Sequence, residues 1–183
     1  AVDTACSSSM AAVHFARESL DVHCASLASG VSMMISPATM ARICQLGALS
    51  PTGRCKTMDV TADGYGRSEG CVVFALSPAV SKEEGGKNDV DVGDFSDAPM
   101  NQMVVYVVAT SMNQDGRSSS LTTPNGASQQ SLLRAATFQA KADTPQSIML
   151  HGTATPLGDP IEVAAITAVY SVERDDRMLR PRS

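Results

Sequence analysis

The sequence predicts an α/β protein, and the order of its helical and strand-like segments is the main reason. Residues 7–22 contain no Gly or Pro and predict a buried helix, and residues 127–141 carry apolar side chains at helical spacing. Residues 24–36 are rich in Ser, Val and Met and are broken by Gly30, and residues 71–77 form a continuous apolar run, so both segments favour strands. Strands that are apolar along their length indicate a sheet covered on both faces.

The second half of the chain continues this alternation. Residues 103–112 predict another buried strand, and residues 147–152 predict a short strand that ends in a turn. A last helix follows, in which Asp159 can act as the N-cap, Pro160 fits the first helical position and Glu162 completes a capping box.

Two polar segments separate these elements. Residues 50–70 are dense in Gly, Asp, Ser and Thr and predict an ordered loop. Within it we expect an ion network formed by Lys56, Asp63, Arg67 and Glu69. Residues 81–102 are charged and Gly-rich, which predicts a surface insertion.

The composition argues against two kinds of partner. Of the 183 residues 43% are hydrophobic, which is ordinary for a globular protein. The formal net charge of −5 provides no basic field and argues against nucleic acid. No apolar run approaches the roughly 20 residues that a membrane-spanning helix needs.

Five cysteines occur without a CxxC pair, at positions 6, 24, 44, 55 and 71. An odd number without such pairs fits neither a disulfide framework nor a zinc site, so we expect no bound metal. Free thiols are typical of a reducing compartment. The sequence therefore predicts the cytoplasm, or an organelle stroma if the source is a eukaryote.

Cys6 lies in the stretch DTACSSS, between a short strand-like lead-in and the first predicted helix. The positive end of the helix dipole and the free N–H groups there favour a thiolate, in a geometry similar to a nucleophile elbow. The alternative is that Cys6 is a small buried residue. Because the lead-in is too short for a complete strand, we expect the chain to be a piece of a longer protein.

His151 ends the predicted strand at residues 147–152, and small or polar residues follow it before the last helix. An imidazole in such a turn can point into a cleft, where its N–H stabilises developing negative charge. A structural role is the alternative, and it is the role that we expect for His14 and His23.

Four motifs, in this order and spacing, resemble the β-ketoacyl synthase (ketosynthase) domain of type I polyketide synthases: VDTACSSS, LSPTGRCKTMDVTADGYGRSEG, NQDGRSSSLTTPNG and HGTATPLGDPIE. The resemblance implies a thiolase-like fold of five α/β/α/β/α layers, usually in a homodimer. It also implies that residues 1–183 are an incomplete middle section of the domain. Residues 1–110 would end its N-terminal half, and residues 111–183 would begin its C-terminal half.

The same resemblance implies a reaction that needs no metal and no nucleotide cofactor. Cys6 would accept an acyl chain from the phosphopantetheine thiol of an acyl carrier protein. A malonyl-type extender on a carrier protein would then lose CO₂ and attack the Cys6 thioester. His151 matches the histidine that assists decarboxylation and steadies the enolate, and Thr153 and Thr155 match threonines that contact the pantetheine arm.

The chain departs from the family pattern at several positions. Ala154 stands where the family motif has Gly, so its β-carbon would crowd the pantetheine tunnel, or strain the backbone if φ is positive there. Met149 and Leu150 replace a Glu-Ala pair, and Ser68 replaces a Gly. The family's second histidine, its lysine and its Gly-Phe-Gly loop are expected beyond Ser183.

Three other functions stay open on the sequence alone. A thiol hydrolase would use Cys6 and His151 with water, although no Asn or Asp is evidently placed to orient the histidine. A non-elongating ketosynthase-like module would bind a carrier protein without condensing. A fatty acid synthase condensing domain shares the DTACSSS motif but usually differs in the NQDGRSSSLTTPNG stretch.

Overall fold

The computed structural model describes residues 1–20, 24–78, 105–118, 120, 123–142 and 144–171. The chain forms two compact units. The first combines Ala1–Val31 with Cys71–Thr110, and the second combines Ser32–Gly70 with Ser111–Ser183. The surface insertion predicted at residues 81–102 lies outside the described residues.

The first unit begins with a single 3-10 turn, Ala5–Ser7, which leads into helix α1 at Ser8–Glu18. Two strands, β1 at Ser26–Ser32 and β2 at Gly70–Leu76, pair in a two-stranded sheet. The helix and both strands occur where the sequence pattern predicts them, so these three predictions are confirmed.

The start of α1 packs directly on β1. A β-carbon built on Gly30 of β1 would lie 2.8 Å from Cβ of Ser9, a separation that side chains do not tolerate. Further along α1, the small side chains of Ala11 and Ala16 are buried. Gly30 therefore allows the start of the helix that follows Cys6 to lie close to the sheet.

Both strands are more exposed than predicted. In β2, Val72, Val73 and Phe74 each leave more than half of their surface exposed, and Leu27 of β1 does the same. The expectation of a sheet covered on both faces is wrong for the described residues. A two-stranded sheet with one helix against it provides too few neighbours to bury these side chains.

The strand predicted at residues 103–112 is also wrong where the structure describes it, because residues 105–112 adopt no regular secondary structure. The guanidinium of Arg17 donates a hydrogen bond to the carbonyl oxygen of Val108 at 3.1 Å. A side chain of α1, rather than a neighbouring strand, thus satisfies the backbone at this point.

His14 lies against the same segment. Its Nδ1 is 2.9 Å from Oγ1 of Thr110, and its ring is half-buried. This contact agrees with the structural role expected for His14, whereas His23 lies outside the described residues.

The second unit contains three helices: α2 at Pro37–Gln45, α3 at Gly126–Ala140 and α4 at Gly158–Tyr170. The sequence pattern predicts α3 and α4, and both are confirmed. Helix α2 was not predicted, although its start carries a readable signal. The Ser36 side chain accepts a hydrogen bond from the Thr39 N–H at 3.4 Å, and proline occupies the first helical position.

Helices α3 and α4 pack on each other from end to end. The Asn125 side chain caps α3, and a β-carbon on Gly126 would lie 3.4 Å from Cγ2 of Ile161. At the far end, the hydroxyls of Thr137 and Tyr170 are 2.8 Å apart. This packing holds the start of α4 in place, directly after the segment that contains His151.

The interior of the described residues is built from very small side chains. The buried hydrophobic residues are five alanines: Ala11, Ala16, Ala28, Ala154 and Ala165. None of the helices that the structure describes is both long enough and apolar enough to cross a membrane.

Candidate active site

Cys6 lies in a tight turn, residues 3–8, that we call the cysteine turn. Ala5 has a φ of +57°, in the left-handed region that residues with a β-carbon rarely adopt. Cys6 follows it in the 3-10 turn before α1, and its side chain is exposed. A strained residue directly before an exposed thiol at a helix start agrees with the predicted elbow-like geometry.

Serine hydroxyls hold the cysteine turn together. The Ser8 hydroxyl accepts a hydrogen bond from the Thr4 N–H at 2.9 Å and donates one to the Ala5 carbonyl oxygen at 2.7 Å. The Ser7 hydroxyl donates to the Thr4 carbonyl oxygen at 2.9 Å, and the Asp3 carboxylate accepts from the Ala5 N–H at 3.2 Å. These bonds all join residues two to four positions apart, so the cysteine turn is held by its own neighbours.

In the second unit, His151 begins a segment without regular secondary structure, residues 151–155, that we call the histidine loop. The Glu162 carboxylate of α4 accepts hydrogen bonds from the N–H groups of His151 and Gly152, at 2.6 and 2.9 Å. Because these two amides bond to a side chain instead of a strand neighbour, the short strand predicted at residues 147–152 does not form. The His151 side chain itself is exposed.

The capping box predicted for α4 is wrong. The N-cap residue is Leu157, without a side-chain capping bond, and Pro160 lies in the first turn, where its missing N–H costs nothing. The buried Asp159 carboxylate instead accepts a hydrogen bond from the Met58 N–H at 2.8 Å. Asp159 and Glu162 therefore hold two loops outside the helix rather than its own N-terminus.

The polar loop, residues 50–70, also bonds to the histidine loop. The Thr57 hydroxyl donates to the carbonyl oxygen of Gly152 at 2.9 Å. The Gly64 N–H donates to the carbonyl oxygen of Ala154 at 2.7 Å. Together with Glu162, these contacts fix four backbone groups of the histidine loop through partners that are remote in sequence.

Two residues of the histidine loop have left-handed backbones. Gly152 has a φ of +55° and Ala154 a φ of +54°. A β-carbon on Gly152 would lie 2.7 Å from Cγ2 of Thr57, so only Gly fits there. The positive φ considered for Ala154 is confirmed, and its methyl group is fully buried. Ala154 therefore carries the backbone strain that the family's usual Gly would avoid.

Thr153 and Thr155 are half-buried next to the start of α4. Their hydroxyl oxygens lie 3.1 Å apart, and the Thr155 hydroxyl also accepts a hydrogen bond from the Gly158 N–H at 3.0 Å. The first turn of α4 thus orients both side chains. Their contact with a pantetheine arm stays a prediction.

An ion pair stiffens the polar loop. Nζ of Lys56 lies 2.5 Å from the Asp63 carboxylate. This hydrogen bond is the main reason why the pKa of Asp63 lies below its ordinary value. A hydrogen bond from Ser50 is the second contribution in the same direction. The Glu69 carboxylate accepts a hydrogen bond from the Met34 N–H at 2.6 Å. Of the network predicted for this loop, the structure thus provides the Lys56–Asp63 pair.

The structure brings together three of the four predicted site residues. His151, Thr153 and Thr155 share the histidine loop of the second unit, whereas Cys6 belongs to the first unit. That Cys6 and His151 serve one site stays a prediction. Glu162 and Thr57 were not foreseen as supports of the histidine loop, because their partners are far along the chain.

All five cysteines are free and exposed. Within the part of the chain that the structure describes, no three His, Cys, Asp or Glu side chains come together as a group that could hold a metal ion.

Two family models match the chain in succession. The model of the β-ketoacyl synthase N-terminal domain matches residues 1–82, which include Cys6. The model of the β-ketoacyl synthase C-terminal domain matches residues 104–180, which include His151. The two matched ranges therefore contain Cys6 and His151, whose catalytic roles stay predictions.

Polyketide synthases are among the similar proteins. The chain is 41% identical over 181 residues to a phenolphthiocerol/phthiocerol polyketide synthase of Mycobacterium tuberculosis, covering 96% of this chain and 9% of that protein. It is 38% identical over 179 residues to phthioceranic/hydroxyphthioceranic acid synthase of the same species, covering 94% and 8%. The chain therefore spans less than a tenth of the length of these relatives.

A solved ketosynthase has the same fold. The ketosynthase from module 6 of the bacillaene synthase of Bacillus subtilis 168 superposes with a TM-score of 0.75 at 32% identity, covering 95% of this chain and 30% of that one. A β-ketoacyl synthase from Burkholderia phymatum superposes with a TM-score of 0.72 at 22% identity, covering 92% and 40%. The predicted thiolase-like α/β fold is thus confirmed, with this chain as a part of it.

Proposed function

Because the chain belongs to the β-ketoacyl synthase family and forms part of a type I polyketide synthase ketosynthase, we propose that the whole protein condenses acyl and malonyl-type thioesters. The observation that carries this proposal is Cys6, exposed after a strained residue at the start of α1, in the region matched by the ketosynthase N-terminal model. The division into halves at residues 110 and 111 is part of the same proposal.

The first step is transfer of an acyl group to Cys6. The Cys6 sulfur attacks the carbonyl carbon of an acyl thioester on a carrier protein, and the bond from that carbon to the pantetheine sulfur breaks. The proton of the Cys6 thiol ends on the departing pantetheine thiol. The position before α1 favours this step, because the helix dipole stabilises negative charge on the attacking sulfur.

The second step forms the carbon–carbon bond. The malonyl-type extender loses CO₂, and the electron pair of the broken bond remains on its α-carbon as an enolate. The His151 N–H donates a hydrogen bond to the enolate oxygen. The α-carbon then attacks the Cys6 thioester, and Cys6 leaves as a thiolate that takes up a proton.

The proposal includes partners and surroundings. An acyl carrier protein delivers both substrates on phosphopantetheine, whose arm would contact the hydroxyls of Thr153 and Thr155. The protein would act as a homodimer. Its five free cysteines favour a reducing compartment, which is the cytoplasm, or an organelle stroma if the source is a eukaryote. The residues assigned here supply the chemistry without a metal or a nucleotide cofactor.

Acyl loading of the full-length synthase tests the proposal. After incubation with an acyl thioester, intact mass and peptide mapping should place one acyl group on Cys6. The variant Cys6→Ala should take up none, whereas Cys44→Ala, which removes another exposed cysteine, should load normally. Label on a different cysteine, or rapid release of free acid into water, would refute the assignment.

Condensation separates the proposal from a non-elongating module. With malonyl carrier protein present, the loaded synthase should release CO₂ and form a β-ketoacyl product. Loading of Cys6 without either product would identify a module that only holds its carrier protein.

A further inference from the structure

We propose that Thr57 of the polar loop is a positioning residue for Thr153, the residue that would contact the pantetheine arm. The inference rests on the proposed function, because that function assigns Thr153 to substrate binding. The Thr57 hydroxyl donates a hydrogen bond to the carbonyl oxygen of Gly152 at 2.9 Å. This carbonyl belongs to the planar peptide that joins Gly152 to Thr153, so the bond fixes the orientation of the backbone that leads into Thr153.

The peptide after Gly152 needs such a restraint. Gly152 has a φ of +55°, and a glycine moves between backbone conformations more freely than any other residue. The Glu162 carboxylate bonds to the N–H groups of His151 and Gly152, which belong to the two preceding peptides. The bond from Thr57 therefore acts one peptide further along, where the chain is freest to turn.

Both branches of the Thr57 side chain face Gly152. A β-carbon built on Gly152 would lie 2.7 Å from Cγ2 and 3.8 Å from Oγ1 of Thr57. A β-branched side chain has few χ1 rotamers, so the contact of the methyl group keeps the hydroxyl directed at the carbonyl oxygen. The backbone beside Thr57 is anchored as well, because the N–H of Met58 donates to the buried Asp159 carboxylate of α4 at 2.8 Å.

The polar loop also holds the backbone after Thr153. The Gly64 N–H donates to the carbonyl oxygen of Ala154 at 2.7 Å, so carbonyl groups on both sides of Thr153 bond to the same loop. Of these two bonds, the one from Thr57 comes from a side chain and can be removed by substitution. Thr57 is thus the position at which the support of Thr153 can be tested.

The variant Thr57→Val removes the donor and keeps both branches at the β-carbon. In acyl loading of Cys6 by the full-length synthase, the KM for an acyl pantetheine thioester should rise by about 3- to 10-fold, the size expected for one hydrogen bond. The kcat should stay close to that of the wild type, because a contact with the arm is made equally in the bound substrate and in the transition state.

An acyl thioester of a simple alkane thiol separates positioning from general stability. This substrate has no pantetheine arm, so Thr57→Val should leave its KM unchanged. A smaller fraction of folded enzyme would instead lower kcat for both thioesters and change neither KM. A loss of kcat alone, or an equal rise of KM for both thioesters, would overturn the proposal.

Two further variants serve as controls. Thr57→Ser keeps the hydroxyl without the methyl group and should bring the KM for the pantetheine thioester back close to that of the wild type. Thr61→Val removes a hydroxyl whose bond, to the Asp59 carboxylate at 2.7 Å, stays within the polar loop, so it should not change this KM. A KM in Thr57→Ser as high as in Thr57→Val, or the same rise in Thr61→Val, would contradict the role of the hydroxyl. If Thr57→Val does not fold, Thr57→Ala replaces it, with the same rise in KM expected.

The wild-type synthase keeps the two proposals apart. If it loads Cys6 from neither thioester, the proposed function fails and the role of Thr57 fails with it. If it loads Cys6 from both thioesters and Thr57→Val has an unchanged KM for the pantetheine thioester, the positioning role alone is refuted.

Discussion

The cysteine turn and the histidine loop are built in opposite ways. In the cysteine turn, the hydrogen bonds that shape the backbone around Cys6 join residues two to four positions apart. In the histidine loop, the side-chain bonds to the backbone of His151 and Gly152 come from residues 10 to 95 positions away. Cys6 is therefore placed by its own neighbours, whereas His151 is placed by the packing of α4 and the polar loop.

This difference predicts unequal stability under partial unfolding. Local bonds close short loops at little entropic cost, whereas remote partners must be ordered before their bonds can form. When the second unit opens, the histidine loop loses its supports together, but the cysteine turn keeps its own. The proposed nucleophile Cys6 is thus expected to persist in states in which the histidine loop, proposed to assist decarboxylation, is already lost.

The variant Gly152→Ala should break the remote arrangement most severely. It places a β-carbon at a positive φ and 2.7 Å from Cγ2 of Thr57. The backbone strain and the overpacking together should cost about 2–4 kcal/mol of local stability. Hydrogen exchange of peptides covering residues 151–155 in the full-length protein should accelerate by at least tenfold, and condensation should fall while Cys6 still loads.

Gly47→Ala is the control that introduces left-handed backbone strain without a close side-chain contact. Gly47 has a φ of +65°, and a β-carbon there meets nothing within 4 Å. The variant should lower the free energy of unfolding only through left-handed backbone strain, by about 1–2 kcal/mol. Hydrogen exchange in the histidine loop should not change. Equal exchange in the two variants around residues 151–155 would show that the close contact between Gly152 and Thr57 does not support the loop.

The variant Ser8→Ala should disturb the local arrangement by a smaller amount. It removes the hydroxyl that accepts from Thr4 and donates to Ala5, in an exposed turn where water replaces lost partners. We expect a cost of about 1 kcal/mol and a slower acyl loading of Cys6. Malonyl decarboxylation should be unchanged, which is the reverse of the result expected for Gly152→Ala. Loss of decarboxylation in Ser8→Ala would mean that the two regions are not independent.

The variant Asp63→Asn should weaken the polar loop in a pH-dependent way. The Lys56 ammonium lowers the folded-state pKa of Asp63 below its ordinary value of 3.8, so the pair stabilises the folded state above that pH. This contribution is lost as the pH falls through the folded-state pKa. Hydrogen exchange around residues 151–155 should therefore differ modestly between Asp63→Asn and wild type at pH 7. The difference should shrink below pH 3.8, and a constant difference would exclude the ion pair as its cause.

The same contrast explains which features the sequence could predict. The turn before α1 depends on adjacent residues, and Ser36 with Pro37 would have marked α2 in the same local way. Glu162 was misread because a glutamate in the first turns of a helix fits a capping box as well as a remote contact, and tertiary packing decides between them. Strand burial at Val72 and Phe74 was misjudged for a similar reason, since it depends on neighbours rather than on the strand.

The variant Ala154→Gly should have the smallest effect on stability, and its sign tests how the histidine loop tolerates a departure from the family motif. Glycine removes left-handed strain of about 1–2 kcal/mol, but it adds unfolded-state entropy of about 0.5–1 kcal/mol and removes a buried methyl worth about 0.8 kcal/mol. We expect these effects to cancel within about 1 kcal/mol, with exchange around residues 151–155 nearly unchanged. Because the methyl is fully buried and the Gly64 N–H already holds the Ala154 carbonyl, condensation should also stay at the wild-type rate. A large gain in condensation with the glycine would instead mean that the alanine holds the histidine loop in a less active conformation.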